Sequence, residues 1–370
     1  MARWIMAILV ACWGLSAAPA HADKLADDLQ TAWESLWNQS GSPRYLLRWN
    51  ASKTVTYQIF GPAAANHRDH ILKALAAAED ASGVQFEEFA PSTSISATAT
   101  STLAMLDIEV VNDSEMQDTL PCWMRAVRWS GFMYDKVQLK LRSSDAWRCT
   151  FHEMMHAMGL LGHPSGKTVL SYFPYRRDVL MDMDKVLLKG VYSPQMPTGA
   201  TPLEAIKVFS ALVAAQPEID LPAGQAQQRA NEFVEKNYVE MQAFAKGQGE
   251  VPVILRRSGR ASETSIANAR REMAHFLGLE ALRGTMAAKD EARAAAWFQL
   301  SAQAGHSPAQ VMLARALNKG SGLAADKPLA YAWYKKAMEA GNELAKTELA
   351  TLETSLTPEE LEKAKATITP

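Results

Sequence analysis

Residues 151–166, FHEMMHAMGLLGHPSG, carry three histidines and a glutamate at spacings that could hold a metal ion. His152 and His156 stand four apart, so on a helix their imidazoles lie on one face and can share one ion. Glu153, beside the first ligand, is placed to act as general base on a water at that ion. Gly159 permits a left-handed turn that ends the helix and lets the chain fold back to present His163 as a third ligand. Three neutral imidazoles leave a fourth position open, as a catalytic zinc requires. A zinc ion there would polarise a peptide carbonyl and lower the pKa of its bound water toward neutrality. The competing reading is an amphipathic core helix with packed histidines, since Met154, Met155, Met158, Leu160 and Leu161 supply apolar surface. Glu153 between the histidines, with His163 nearby, favours the metal.

These side chains need elements to hold them. The sequence predicts a helix from Ser144 or Asp145, both good caps, to about Met158, with Gly159 as its stop. Upstream, residues 54–60, 84–89 and 106–111 read as strands, residues 66–81 as an amphipathic helix, and residues 91–102, rich in Ser, Thr and Ala, as a surface loop. Two β-type runs around Ser130 and Gly131, within residues 126–141, read as a hairpin or an edge strand beside a cleft. Downstream, residues 183–191 and 201–215 read as helices, the second opening with Thr201 as cap and Pro202 behind it. The order of elements points to α+β.

Residues 45–194 resemble the metzincins, especially matrixins and serralysins, whose signature is HExxHxxGxxH followed by a turn with a methionine beneath the metal. Residues 168–173 (TVLSYF) are similar to that turn, with Leu170 in the place of methionine and Tyr172 in that of the tyrosine of serralysins and astacins. Residues 179–194 resemble the closing matrixin helix, with Asp184 near its start and Val191 and Tyr192 at its end, and LDIEVV resembles the strand before the edge strand. The resemblance implies a zincin-like fold, peptidase activity, His152, His156 and His163 as zinc ligands, Glu153 as base, and Tyr172 as a possible metal or oxyanion partner. The chain departs from the signature in one ligand: Gly162 stands where the third histidine is expected and His163 follows it.

At 370 residues and 48% hydrophobic content, the chain is long enough for two domains. A formal charge of -2 gives no footprint for nucleic acid or an anionic membrane. The first 22 residues combine Arg3, an apolar run and a small-residue end, the layout of a cleavable secretory signal, which predicts a periplasmic or secreted protein without a later membrane span. Cys12 leaves with that signal, and Cys122 and Cys149 remain as a pair expected to be bonded in an oxidising compartment. Residues 23–44 hold no cysteine that could block the zinc.

The C-terminal part repeats itself. At an offset of 36 residues, Gly284, Asp290, Ala294, Trp297, Ala304, Gly305 and Ala309 fall onto Gly320, Asp326, Ala330, Trp333, Ala340, Gly341 and Ala345, and Leu277, Leu313 and Leu349 align in three copies. Such a period marks a helical-hairpin solenoid, and the stretch resembles the SEL-like relatives of the tetratricopeptide repeat. The resemblance implies a protein-binding scaffold, with a structural cap on the first domain as the other reading.

The whole is therefore read as an α+β zincin-like (metzincin-like) catalytic domain with a C-terminal all-α helical-repeat domain. Its segments are a signal peptide over 1–22, a metallopeptidase domain over 23–216, a linker and helical connector over 217–258, repeats over 259–350 and a tail over 351–370. The expected function is zinc-dependent hydrolysis of peptide bonds in a protein or peptide substrate, with a partner recruited through the repeats. Two rivals stand beside it. One is a non-catalytic cell-envelope scaffold working through its repeats; the other is an amidase acting on peptide cross-links of the cell wall.

Overall fold

The computed structural model describes residues 20–38, 42–89, 104–116, 120–171, 178–222, 224–257 and 262–366. The apolar signal core, the 91–102 loop and Tyr172 lie outside the described residues.

A five-stranded sheet forms the N-terminal half: β1 (Val55–Phe60), β2 (Phe86–Glu88), β3 (Met105–Val111), β4 (Cys122–Ser130) and β5 (Met133–Arg142), in the order β2-β1-β3-β5-β4. All neighbours are parallel except β4 and β5, a hairpin turning at Gly131, so β4 is an antiparallel edge strand. Period-two alternation sends Leu106, Ile108 and Val110 of β3 and Val137, Leu139 and Leu141 of β5 into the core. Their other face carries a charged ladder, with Lys136 Nζ 2.7 Å from Asp107 and Lys140 Nζ 3.4 Å from Glu109.

The apolar face is covered by α2 (Ala64–Ser82) and α3 (Ala146–Ala157), the helix that carries the HExxH residues. Asp145 stands at the N-cap of α3, but its carboxylate turns away from the helix N–H groups. It accepts from Arg142 Nε at 2.6 Å and pairs with Arg148, because two guanidinium partners outcompete a cap. A disulfide joins Cys122 at the start of β4 to Cys149 in α3.

Beyond the site come α4 (Asp182–Val191) and α5 (Pro202–Ala214). The Thr201 cap of α5 forms as expected: Glu204 N–H donates to Thr201 Oγ1 at 3.2 Å, and the Glu204 carboxylate accepts from Thr201 N–H at 2.8 Å.

Two segments differ from the sequence reading, and a third, the connector, is helical as expected but packs into the core. Residues 23–44, left without an element, contain most of α1 (Ala20–Ser35), which buries Leu25, Leu29, Ala32 and Trp33 against α5. The 217–258 connector holds α6 (Gln225–Ala245) and the short α7 (Val253–Arg257). α6 packs on α5 and on α8 (Glu263–Arg283), and its Val234, Tyr238, Met241 and Phe244 are core residues. The 351–370 tail is mostly ordered helix. After α9 (Glu291–Gln303), α10 (Ser307–Lys319), α11 (Lys327–Glu339) and α12 (Glu343–Ser355) comes α13 (Pro358–Ala366), which seats a fully buried Ala364 against α11.

Residues paired by the 36-residue offset take the same structural roles. Gly284 and Gly320 end helices in the left-handed conformation at φ 73° and 71°. Asp290 and Asp326 cap the following helices by accepting backbone N–H bonds of 2.9 Å from Arg293 and Leu329. The apolar interior forms two clusters that meet within α8: Met273, Ala274 and Leu277 belong to the larger cluster under the sheet and α1, while Phe276, Leu279 and Ala281 belong to the repeats.

Candidate metal centre

The three predicted histidines converge. His152 Nε2 lies 3.1 Å from His156 Nε2 and 3.0 Å from His163 Nε2, and the third separation is 3.3 Å. Among the described residues this is the one group of three or more His, Cys, Asp or Glu side chains close enough to share an ion. Nitrogen ligands at 2.0–2.1 Å in a tetrahedron sit about 3.3 Å apart, so the cluster has nearly the spacing that zinc needs.

Tautomers sharpen the fit. His152 Nδ1 lies 2.8 Å from the Val169 carbonyl and His156 Nδ1 lies 2.6 Å from the Leu160 carbonyl. A carbonyl only accepts, so each Nδ1 bears the proton and each Nε2 turns a lone pair toward the common point. Two such lone pairs in contact repel unless a cation lies between them. Burial and the neighbouring His152 and His163 also hold the His156 pKa well below its ordinary value, which favours the neutral ligand form.

Each histidine has a distinct support. His152 is held through Val169, whose N–H lies 3.2 Å from both carboxylate oxygens of Asp184; that buried carboxylate also accepts from Met181 N–H at 2.8 Å and from the Thr168 hydroxyl. Burial pushes the Asp184 carboxyl up to about 6, against the opposing pull of those hydrogen bonds. Leu170, in the place of the turn methionine, is fully buried. At the end of α3, Gly159 adopts φ +110°, and a Cβ there would come within 2.3 Å of the Leu47 carbonyl oxygen. Tyr192, at the end of α4, donates to the Met158 carbonyl at 3.1 Å and locks the same turn.

The one-residue displacement of the third histidine has a steric cause. Gly162 sits against the end of α1: its N–H donates to the Ser35 carbonyl at 3.1 Å, and a Cβ would lie 2.3 Å from the Glu34 oxygen and 2.6 Å from that of Trp37. No side chain fits at that position, and it is His163, 8% exposed, whose Nε2 reaches the other two histidines.

Glu153 is buried, at 4% exposure, and burial pushes its carboxyl up to about 8. Among the described residues no group donates a hydrogen bond to it, which leaves its oxygens available to a water or substrate. The sequence reading missed α1 and Glu34 as supports of the site. The signal was present: the apolar residues Leu25, Leu29, Ala32, Trp33 and Leu36 recur at helical spacing.

Comparison with known proteins bears on the other end of the chain. The Sel1 repeat model matches residues 271–306 and 307–342, at the offset read from the sequence. A crystal structure of a Sel1 repeat protein from Oxalobacter formigenes is 31% identical over 33% of this chain and 87% of that one, with a TM-score of 0.23. A second, of c5321, described as a protective antigen of uropathogenic Escherichia coli displaying an SLR fold, is 21% identical over 52% of this chain and 49% of its own, with a TM-score of 0.27. No curated protein matches the chain.

Proposed function

We propose, for a chain that belongs through residues 271–342 to the Sel1-repeat proteins, a hydrolase that cleaves peptide bonds at a zinc ion held by His152, His156 and His163. The observation that carries this reading is the meeting of three Nε2 atoms within 3.3 Å of one another, two with lone pairs directed inward by backbone carbonyls. A zinc ion held by these residues would supply Lewis acidity toward a carbonyl and a water. Glu153 takes the water proton and delivers it to the leaving amine.

The metzincin resemblance of residues 45–194 supports a peptide as substrate. So does β4: it lies at the sheet edge, and an extended peptide could align with its outer backbone groups. Tyr172 is proposed as the oxyanion partner. The Cys122–Cys149 disulfide favours an oxidising compartment, in keeping with a periplasmic or secreted location. In this reading the repeats recruit substrate or partner.

A second reading is favoured by the Sel1 match: an envelope scaffold that binds partners through its helical repeats and keeps the metal for stability. Metal content of the full chain, purified without added metal, together with hydrolysis by wild type and Glu153→Gln, separates the two. About one zinc per chain with Glu153-dependent hydrolysis supports the enzyme; bound zinc with no cleavage of unfolded protein or purified cell wall supports the scaffold. Cleavage of cell-wall cross-links alone identifies an amidase.

A further inference from the structure

We infer that α1 is a built-in part of the metal centre and that Glu34 is the positioning residue for His163. The inference rests on the metal reading above and concerns how its third ligand is held.

Residues 160–166 contain no regular element, yet they must present one imidazole at a fixed point. Their order comes from one helix surface far away in sequence. Ser165 donates to Glu34 Oε2 twice, from N–H at 2.8 Å and from Oγ at 3.0 Å. The other oxygen, Oε1, accepts from Gln30 Nε2 at 2.9 Å, one turn earlier in α1, which fixes the carboxylate rotamer. Glu34 itself is only 1% exposed.

Two glycines bracket this contact on the same helix surface. At Gly162 a Cβ would meet the backbone carbonyl oxygens of Glu34 and Trp37, and at Gly166 it would come within 1.8 Å of Thr31 Oγ1. The Gly162 N–H bond to Ser35 also satisfies one of the carbonyls left open at the end of α1. His163 is thus suspended between two close backbone approaches and one buried carboxylate. Supports of this kind orient a ligand before the metal arrives, and their loss typically lowers metal affinity 10–100-fold.

The test is zinc affinity of the full chain by competition with a chromogenic chelator, with the melting temperature measured in the metal-free state. Glu34→Ala and Glu34→Asp, whose shorter carboxylate cannot reach Ser165, should lose about 10–100-fold in affinity. Glu34→Gln keeps an acceptor and should stay within about threefold of wild type. A merely structural Glu34 would lower the metal-free melting temperature of these variants without changing the affinity of the folded protein, and that result overturns the inference. Should the Ala and Asp variants fail to fold, Ser165→Ala, at an exposed position, decides: an affinity loss of about threefold or more supports the positioning role, and unchanged affinity removes it. Wild-type protein that takes up no zinc overturns the metal reading and this inference together, whereas wild-type uptake with unaltered variants overturns this inference alone.

Discussion

Replacing Glu153 by Gln keeps the size of a buried side chain and removes its basicity. If it is the general base, kcat should fall by about 10²–10⁴-fold with zinc still bound, as read by steady-state kinetics and metal analysis on one preparation. An active variant would sink that role. Asp184 makes a subtler case, because it touches no ligand and acts through the Val169 and Thr168 backbone and hydroxyl groups on which the His152 orientation depends. Asp184→Asn is expected to weaken zinc binding by about tenfold, measured by chelator competition, since its amide can accept at one oxygen only. The convergence of His152 and His156 could be read directly from residues 151–163, because i, i+4 spacing on a helix is a local property. The support of His163 could not, since Ser165 meets Glu34 131 residues away.

Among the elements, β4 and α3 are tied by the Cys122–Cys149 bond across a sequence separation of 27. Closing a loop of that length restricts the unfolded chain by about 3–4 kcal/mol in the chain-entropy model. The Cys122→Ser, Cys149→Ser double variant should therefore show a lower denaturant midpoint; an unchanged midpoint would mean that packing of α3 against β4 and β5 suffices. Strand and helix positions followed from periodicity wherever one face was buried, as in β3, β5 and α2. Asp145 did not cap as its type predicts, because cap propensity is a weak preference and Arg142 and Arg148 offer full charges. The 351–370 segment looked like a tail because its charged residues mask the small buried surface of Ala364; packing against α11 is what makes that segment an element.

In the whole molecule the repeats are not hung on a linker. The two faces of α8 serve two cores, and a ring cluster around the buried His275 and Phe276 marks the junction: Tyr45 Oη lies 2.8 Å from His275 Nε2, with Phe132 and Phe276 against the Tyr45 ring and His306 against His275. Burial depresses His275 to about 3 and His306 to about 4, with Arg283, Arg271 and Arg44 adding repulsion and the half-buried Glu272, paired with Arg44, facing the same region. A histidine whose folded pKa lies below its unfolded value near 6.5 contributes stability that is present above that value and lost as pH falls toward the folded one. Between pH 7 and 5 each should cost the folded state about 2 kcal/mol, and His275→Phe should flatten that pH dependence of the melting temperature. An equally steep profile in the variant would show that the junction does not titrate. The sequence by itself determined the histidine spacing that the metal proposal rests on, the paired cysteines, the alternating strands and the 36-residue repeat, because each is written in spacing along the chain. Only the tertiary structure decided that no side chain fits at Gly162 and that His163 turns to the cluster instead, that α1 seats the loop, and that α8 belongs to two cores. Those outcomes depend on surfaces brought together from distant parts of the chain, where close approach and burial, rather than local pattern, set the geometry.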